Sequence, residues 1–160
     1  MTQKAKAGSQ AAPILVPVDF SEHSRAALLW AWQQARLTGA PLVALHVVHD
    51  PANAPGYYQR SKDDLLQPME DVAAKMMRRF IKGARKQAGL KKPAKGLRTK
   101  LVVGLPVTRI LEVARQVGAG QIVMGSQGRT GLERLLLGSK AEQVVRMAEV
   151  PVTIVKTARQ

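Results

Sequence analysis

Short apolar runs alternate with longer segments of helical periodicity along this chain. The apolar runs have the length and the β-branched content of buried strands, and they cover residues 14–18, 42–48, 97–103, 121–124 and 150–155. Between them, apolar side chains at helical spacing predict helices over about 21–38, about 65–84, 106–117 and from Ser139 onwards. Glycines stand where the first three helices are expected to end, at Gly39, Gly89 and Gly118.

Five strands separated by four helices require parallel pairing through right-handed crossovers. The pattern therefore predicts an α/β fold, a three-layer α/β/α sandwich around a five-stranded parallel sheet. Ligands of such folds bind beyond the carboxyl ends of the strands, in the crevice where the strand order reverses. Residues that directly follow strands are therefore the first candidates for function.

The length and the composition limit the number of domains and the cellular compartment that fit this chain. A length of 160 residues suits one domain, which we place at residues 12–157 after a flexible tail of residues 1–11. The chain has no cysteine, which excludes disulfides, thiol catalysis and thiolate zinc sites and fits a cytoplasmic location. The longest uninterrupted apolar run, Ala26–Trp32, is too short to cross a bilayer, so no membrane partner is expected.

The charge of the chain is strongly positive. Lysine and arginine outnumber aspartate and glutamate by 25 to 11, a formal net charge of +14, which favours anionic partners. The polar side of the second predicted helix contributes much of it, because between Arg78 and Lys100 cations are frequent and acidic residues are missing. One hypothesis is therefore a polyanion- or nucleic-acid-binding module that uses segment 78–100. A solvated helix face is the simpler interpretation, because segment 78–100 contains no aromatic residue other than Phe80 on which bases could stack. Phe80 itself lies on the apolar stripe of that helix, with Leu65, Leu66, Met69, Val72, Ala73, Met76 and Ala84.

A glycine-rich segment follows the fourth predicted strand. After Met124 come Gly125, two residues, Gly128, nine residues and then Gly138-Ser139. Glycines after a strand let backbone N–H groups turn toward an anion, and the helix that Ser139 opens offers a second set of N–H groups with a favourable dipole. The segment also carries cations, namely Arg129, Arg134 and Lys140. Two sets of amide donors around one loop predict a polyphosphate site.

Each part of this segment also has an explanation without a ligand. Glycine after a strand is ordinary turn chemistry, and Ser139 with Glu142 three residues later matches a capping box. The joint spacing argues for a site, because a simple turn does not require three glycines and a cap. Neither a P-loop nor a dinucleotide-binding glycine motif occurs in the chain.

The glycine spacing resembles the signature of the universal stress proteins, in the branch that binds ATP. Other stretches are similar to the same family: residues 14–21 to its first strand and turn, 45–48 to its second strand, 104–106 to the turn before its third helix, and 150–155 to its closing strand. The resemblance implies a parallel sheet in the order 3-2-1-4-5, the adenine nucleotide alpha hydrolase-like arrangement. In that order the reversal lies between the first and the fourth strand, which end at Asp19 and Gly125.

The resemblance also implies roles for individual residues. Asp19 would accept a hydrogen bond from the nucleoside, and Val18 and Val47 would border the adenine. Without a ligand, Asp19 is explained as a turn or helix-start residue beside Ser21. Ribose and phosphates would be held by Gly125, Gly128, Gly138 and Ser139. The candidate set is completed by Pro17, which shapes the first turn, and by Met124, Arg129 and Lys140. Lys140 departs from the family pattern, in which a small or aliphatic residue often follows the serine.

These features favour an ATP-binding regulatory protein of the stress response with little or no catalysis. A Mg²⁺ or Mn²⁺ ion would be held by the phosphates of the nucleotide. Catalytic machinery is sparse, because His23 is expected to be exposed, His46 to be a satisfied core residue, and His49 to end a strand, with no metal-ligand spacing among them. A weak ATPase or phosphate donor is the alternative within the same fold. The closing strand at 150–155 predicts a homodimer, because an apolar edge invites pairing.

Overall fold

The alternation of strands and helices is confirmed in the computed structural model, which describes residues 11–48, 69–91, 96–128 and 137–157. The elements in chain order are β1 (Ile14–Pro17), α1 (Glu22–Thr38), β2 (Leu42–Val48), α2 (Met69–Gln87), β3 (Leu97–Val103), α3 (Pro106–Val117), β4 (Gln121–Gly125), α4 (Ser139–Met147) and β5 (Val152–Val155). The expected first turn of the second helix, at residues 65–68, lies outside the described residues.

The strands form one parallel sheet in the order β3-β2-β1-β4-β5, so the predicted fold class and strand order are confirmed. β1 is the central strand, and its Leu15 is in register with Val43 of β2 on one side and Ile122 of β4 on the other. The strand order therefore reverses between β1 and β4. The carboxyl ends of these two strands open onto the same crevice.

Two apolar layers enclose the sheet. On one face α1 and α2 pack against alternate residues of β1 and β2, around the buried Trp32 and Phe80. On the other face α3 and α4 pack against the remaining positions, around Ile110 and Val144. Every residue of β1 and β2 is buried, as expected for strands covered by helices on both sides.

Several element boundaries differ slightly from those predicted. Ser21 caps α1 rather than belonging to it, because its hydroxyl accepts a hydrogen bond from the backbone N–H of Ser24 at 3.1 Å. β4 extends one residue further, to Gly125, and β5 begins two residues later than expected. In α2 the fully buried methionine is Met77, and Met76 is only partly buried, because two adjacent methionines leave the helical register undecided in the sequence. The helix-ending role of Gly39, Gly89 and Gly118 is confirmed by their left-handed φ angles of 72°, 64° and 63°.

The two edges of the sheet are β3 and β5. All four residues of β5 are partly exposed, in contrast to the fully buried central strands. Within the described ranges, no helix is both long enough and apolar enough to span a membrane.

Candidate functional site

A tight turn at the end of β1 fixes the position of Asp19. One carboxylate oxygen, Oδ1, accepts hydrogen bonds from the backbone N–H of Ser21, at 3.0 Å, and from the Ser21 hydroxyl. Because Ser21 also caps α1, the Asp19 carboxylate is tied to the start of that helix. Just before the turn, the N–H of Val18 donates to the carbonyl of Leu45 at 2.7 Å, which keeps the chain attached to β2.

Phe20, at the centre of this turn, has a left-handed backbone. Its φ is 66°, and among the described residues it is the one non-glycine residue with a positive φ. Its ring packs against the ring of His46 at an interplanar angle of 35°, with ring centroids 4.3 Å apart, and meets Phe80 of α2 edge-on at 5.7 Å. Such a conformation is unfavourable for a residue with a Cβ, so these ring contacts stabilise the turn.

His46 is a satisfied core residue, as predicted. Its side chain is 1% exposed, and Nδ1 lies 2.7 Å from the carbonyl oxygen of Val18. Since a carbonyl oxygen only accepts, Nδ1 carries the hydrogen and donates it. The buried histidine therefore holds the residue that precedes Asp19.

Gly125, at the end of β4, lies directly against the first turn of α1. A Cβ at this position would lie 2.6 Å from the backbone carbonyl carbon of His23, so a larger residue cannot fit without moving the helix. Close packing of α1 on the end of the strand accounts for this glycine. Its place in the signature therefore has a structural reason besides any ligand.

Gly128 faces Asp19 across the strand-order reversal. A Cβ on Gly128 would lie 2.9 Å from Asp19 Oδ2, the carboxylate oxygen that does not bind Ser21. Residues 109 positions apart in the chain are thus brought into contact at the carboxyl ends of β1 and β4. The turn after β1 and the start of the loop after β4 therefore meet at the place where ligands of α/β folds are expected to bind.

Gly138 brings the far end of the same loop back to its beginning. Its N–H donates to the carbonyl of Ser126 at 2.7 Å, and a Cβ here would lie 3.4 Å from the Cα of Gln127. This N–H is therefore already used within the protein and cannot serve an anion. The donors that α4 itself offers are the N–H groups of its first turn, which have no partner within the helix.

The capping-box explanation for Ser139 is wrong. Gly138 occupies the N-cap position and makes no side-chain cap hydrogen bond, while Ser139 is the first residue of α4 and is exposed. The Glu142 carboxylate accepts a hydrogen bond from Arg146 at 2.8 Å instead of reaching back to the helix start. The first turn of α4 is thus left without a side-chain cap at the place where it faces the loop.

The remaining candidate residues lie at or near this crevice, but not all on one face. Pro17 is the last residue of β1, and its partner in β2 is Leu45. Val18 is buried in the layer beneath α1 and α2, whereas Val47 and Met124 are buried in the layer beneath α3 and α4. The side chains of Val18 and Val47 therefore do not form a joint wall. Of the two candidate cations, Lys140 is exposed in the first turn of α4, and Arg129 lies outside the described residues.

The expectations for the other two histidines, His23 and His49, have different outcomes. His23 is half-buried rather than exposed, and its Nδ1 lies 3.2 Å from the Thr157 hydroxyl, which connects α1 to the chain after β5. His49 lies outside the described residues. In the part of the chain that the structure describes, no three His, Cys, Asp or Glu side chains are grouped so as to hold a metal ion.

The turn or helix-start role of Asp19 beside Ser21 is confirmed by their hydrogen bonds, but sequence reasoning missed Phe20 and the capping hydrogen bond of Ser21. The sequence did contain a signal for Ser21, since an aspartate two residues before a serine is typical of a turn in which the carboxylate binds backbone N–H groups. Nothing local indicates Phe20, because an aromatic residue is not expected in a left-handed conformation.

The fold and the loop define a three-layer α/β protein in which a glycine loop, a helix start and a carboxylate meet at the strand-order reversal. The chain belongs to the universal stress protein family, whose family model matches residues 11–156. It is similar to Universal stress protein MJ0531 of Methanocaldococcus jannaschii, with 32% identity over 147 residues that make up 92% of this chain and 83% of the relative.

Two solved structures of the family contain nucleotides. A universal stress protein in complex with cAMP superposes with a TM-score of 0.61 at 27% identity, over 94% of this chain and 100% of the other. The universal stress protein of Archaeoglobus fulgidus in complex with dAMP gives a TM-score of 0.60 at 26% identity, over 92% of this chain and 100% of the other. These relatives therefore bind adenine nucleotides.

Proposed function

We propose that this protein binds ATP in the crevice between β1 and β4 and acts as a regulatory nucleotide-binding module with little or no turnover. The observation that carries the proposal is the approach of Gly128 to Asp19 Oδ2, which joins a carboxylate and the start of the glycine-rich segment at the strand-order reversal. The cAMP and dAMP complexes of relatives support an adenine nucleotide as the ligand. A role in the stress response and a cytoplasmic location belong to this proposal.

The phosphates would be bound by amide groups rather than by a charged cluster. The N–H of Gly128 and those of the first turn of α4 would donate to the phosphate oxygens, and the dipole of α4 favours negative charge at that position. Lys140 and Arg129 would add positive charge. Gly138 would contribute through its lack of a side chain, since its N–H binds Ser126.

The nucleoside would be oriented from the other side of the crevice. The Asp19 carboxylate, whose Oδ2 faces Gly128, would accept a hydrogen bond from a ribose hydroxyl. The base would be bordered mainly by the main chain at the strand ends, at Pro17, Val18, Val47 and Met124. The side chain of Val18 is buried in one apolar layer, and those of Val47 and Met124 are buried in the other.

Slow or no hydrolysis is part of this proposal. Phosphoryl transfer requires a group that positions the attacking water or removes its proton, and usually a metal ion. Asp19, the carboxylate at the crevice, already holds the α1 turn with one oxygen. Mg²⁺ or Mn²⁺ would be carried by the phosphates of the nucleotide, with the protein supplying amide donors around them.

Thermal unfolding with ATP, AMP, GTP and no ligand tests the proposal. A ligand present at 100 times its dissociation constant stabilises the native state by about 2.7 kcal/mol, so ATP should raise the melting temperature clearly. GTP should raise it less than ATP at the same concentration. Equal melting temperatures with and without ATP at millimolar concentration would contradict nucleotide binding.

The proposed assembly is a homodimer formed through β5. This strand is at the edge of the sheet and partly exposed, and unpaired edges of this kind pair with another chain unless they are blocked.

A further inference from the structure

The polar face of α2 carries positive charge that nucleotide binding does not use. The cations follow an acidic first turn and recur at intervals of three and four residues, which places them on one side of the helix. We call this surface the basic stripe, and it consists of Arg78, Arg79, Lys82, Arg85 and Lys86. Arg85 is half-buried and the other four are exposed, while the apolar side of α2 packs against the sheet.

No acidic side chain of the described residues neutralises the basic stripe. The sequence has no aspartate or glutamate between residues 78 and 100, and among the described residues none of the five cations forms an ion pair. Like charges three and four residues apart destabilise an isolated helix, so the stripe carries unrelieved repulsion. The helix dipole favours Arg85 and Lys86 in the last turn, but Arg78, Arg79 and Lys82 lie before it.

The basic stripe also points away from the nucleotide crevice. The first turns of α2, at Val72 and Ala73, pack on Val48 at the carboxyl end of β2. The helix therefore begins on the crevice side and runs antiparallel to the strands, and its last turns lie toward the amino end of β3. The stripe occupies the later part of the helix, so a large anion could bind there without entering the crevice.

The side chains on and around the basic stripe determine which kind of polyanion it can bind. Phe80, the aromatic residue at this level of α2, is 6% exposed and packs inward, so the stripe has no platform on which single-stranded bases could stack. The apolar side of α2 is occupied by the sheet, so it cannot insert into a lipid surface. A surface for double-stranded RNA spans two successive minor grooves and contacts their 2′-hydroxyls, which is more than a row of cations along part of one helix can reach. A row of cations alone fits a DNA phosphate backbone.

We propose that the basic stripe of α2 binds the phosphate backbone of double-stranded DNA, without sequence preference and independently of the nucleotide site.

Binding of a labelled 20-base-pair DNA duplex, followed by fluorescence anisotropy at several salt concentrations, tests this proposal. Each phosphate that a cation neutralises contributes about 0.9 to the slope of log affinity against log salt, so five cations predict a slope of about −4.5. Raising the salt from 50 to 200 mM should then weaken binding by roughly 500-fold. Saturating ATP should leave the affinity unchanged.

Two double variants separate the stripe from net charge. Arg79→Gln/Lys82→Gln should reduce the magnitude of the salt slope by about 2 and weaken binding at low salt. The control Arg36→Gln/Arg146→Gln removes the same charge from the exposed last turns of α1 and α4 and should leave the slope unchanged. Circular dichroism confirms that both variants are folded.

Several outcomes would overturn the proposal. Equal losses in the two double variants would mean that net charge alone attracts DNA. Tighter binding of a single strand, of an RNA duplex or of an acidic peptide would assign the stripe to another partner. Displacement of DNA by ATP would place the DNA in the crevice. A protein that binds DNA as expected but not ATP would leave this proposal standing and refute the nucleotide site.

Discussion

Phe20 shows how a single residue in an unfavourable conformation is stabilised by its neighbours. Its left-handed backbone turns the chain between Asp19 and Ser21, so that the carboxylate can bind the start of α1 and also face Gly128. The ring contacts with His46 and Phe80 offset the strain. The sequence predicted Asp19 as the site residue, but these distant ring contacts could not be predicted from local pattern.

Replacing Phe20 tests the left-handed turn. Phe20→Ala and Phe20→Gly both lose the ring contacts, so both variants should be less stable than the parent protein. Alanine retains the penalty for a positive φ and glycine does not, so Phe20→Gly should be more stable than Phe20→Ala by about 1 kcal/mol. Urea titration measures this difference. An alanine variant as stable as the glycine variant would mean that the turn is not left-handed in solution.

The two helices at the crevice begin in different ways. α1 has a serine N-cap that accepts a hydrogen bond, whereas α4 starts after a glycine with no side-chain cap. The positions and types of the elements followed from the sequence, because strand and helix periodicities differ strongly and glycines mark the helix ends. The capping of α4 could not be predicted, since a serine with a glutamate three residues later fits either interpretation until the backbone is known.

Two serine variants test this difference between the helix starts. Ser21→Ala removes a cap and should cost about 1 kcal/mol of stability in urea titration. Ser139→Ala should change stability by less than about 0.5 kcal/mol, because Ser139 is exposed and caps nothing. It should weaken ATP binding, because the Ser139 hydroxyl would donate to a phosphate oxygen beside the amide groups of the helix start. A large loss of stability in Ser139→Ala would restore a structural role for that serine.

At the scale of the whole molecule, the topology decides where the site lies. The generic rule for α/β sheets and the glycine spacing point to the same crevice, and the structure brings Asp19 and Gly128 together there. The crevice could be located from the sequence, because the rule for α/β sheets and the glycine spacing both refer to residues that follow strand ends. It did not predict that Val18 and Val47 belong to opposite layers, since adjacent strands can place residues of similar character on either face.

The exposed edge at β5 predicts a dimer in solution. Light scattering at micromolar concentration should give the mass of two chains, because pairing would bury the backbone N–H and C=O groups of this edge. Val152→Pro, at the first residue of β5, removes a donor where proline is tolerated and should shift the mass toward one chain. A mass of one chain for the parent protein over the whole concentration range would contradict the dimer.

The most direct test of the central claim is calorimetric titration of ATP into the parent protein, Gly128→Val and the control Gly83→Ala. A side chain at 128 would meet Asp19 Oδ2 and fill the space of the phosphates, whereas a Cβ at 83 has nothing within 4 Å. The account predicts that Gly83→Ala binds ATP like the parent protein and that Gly128→Val, although folded, shows no binding. Equal affinities for all three proteins would contradict it.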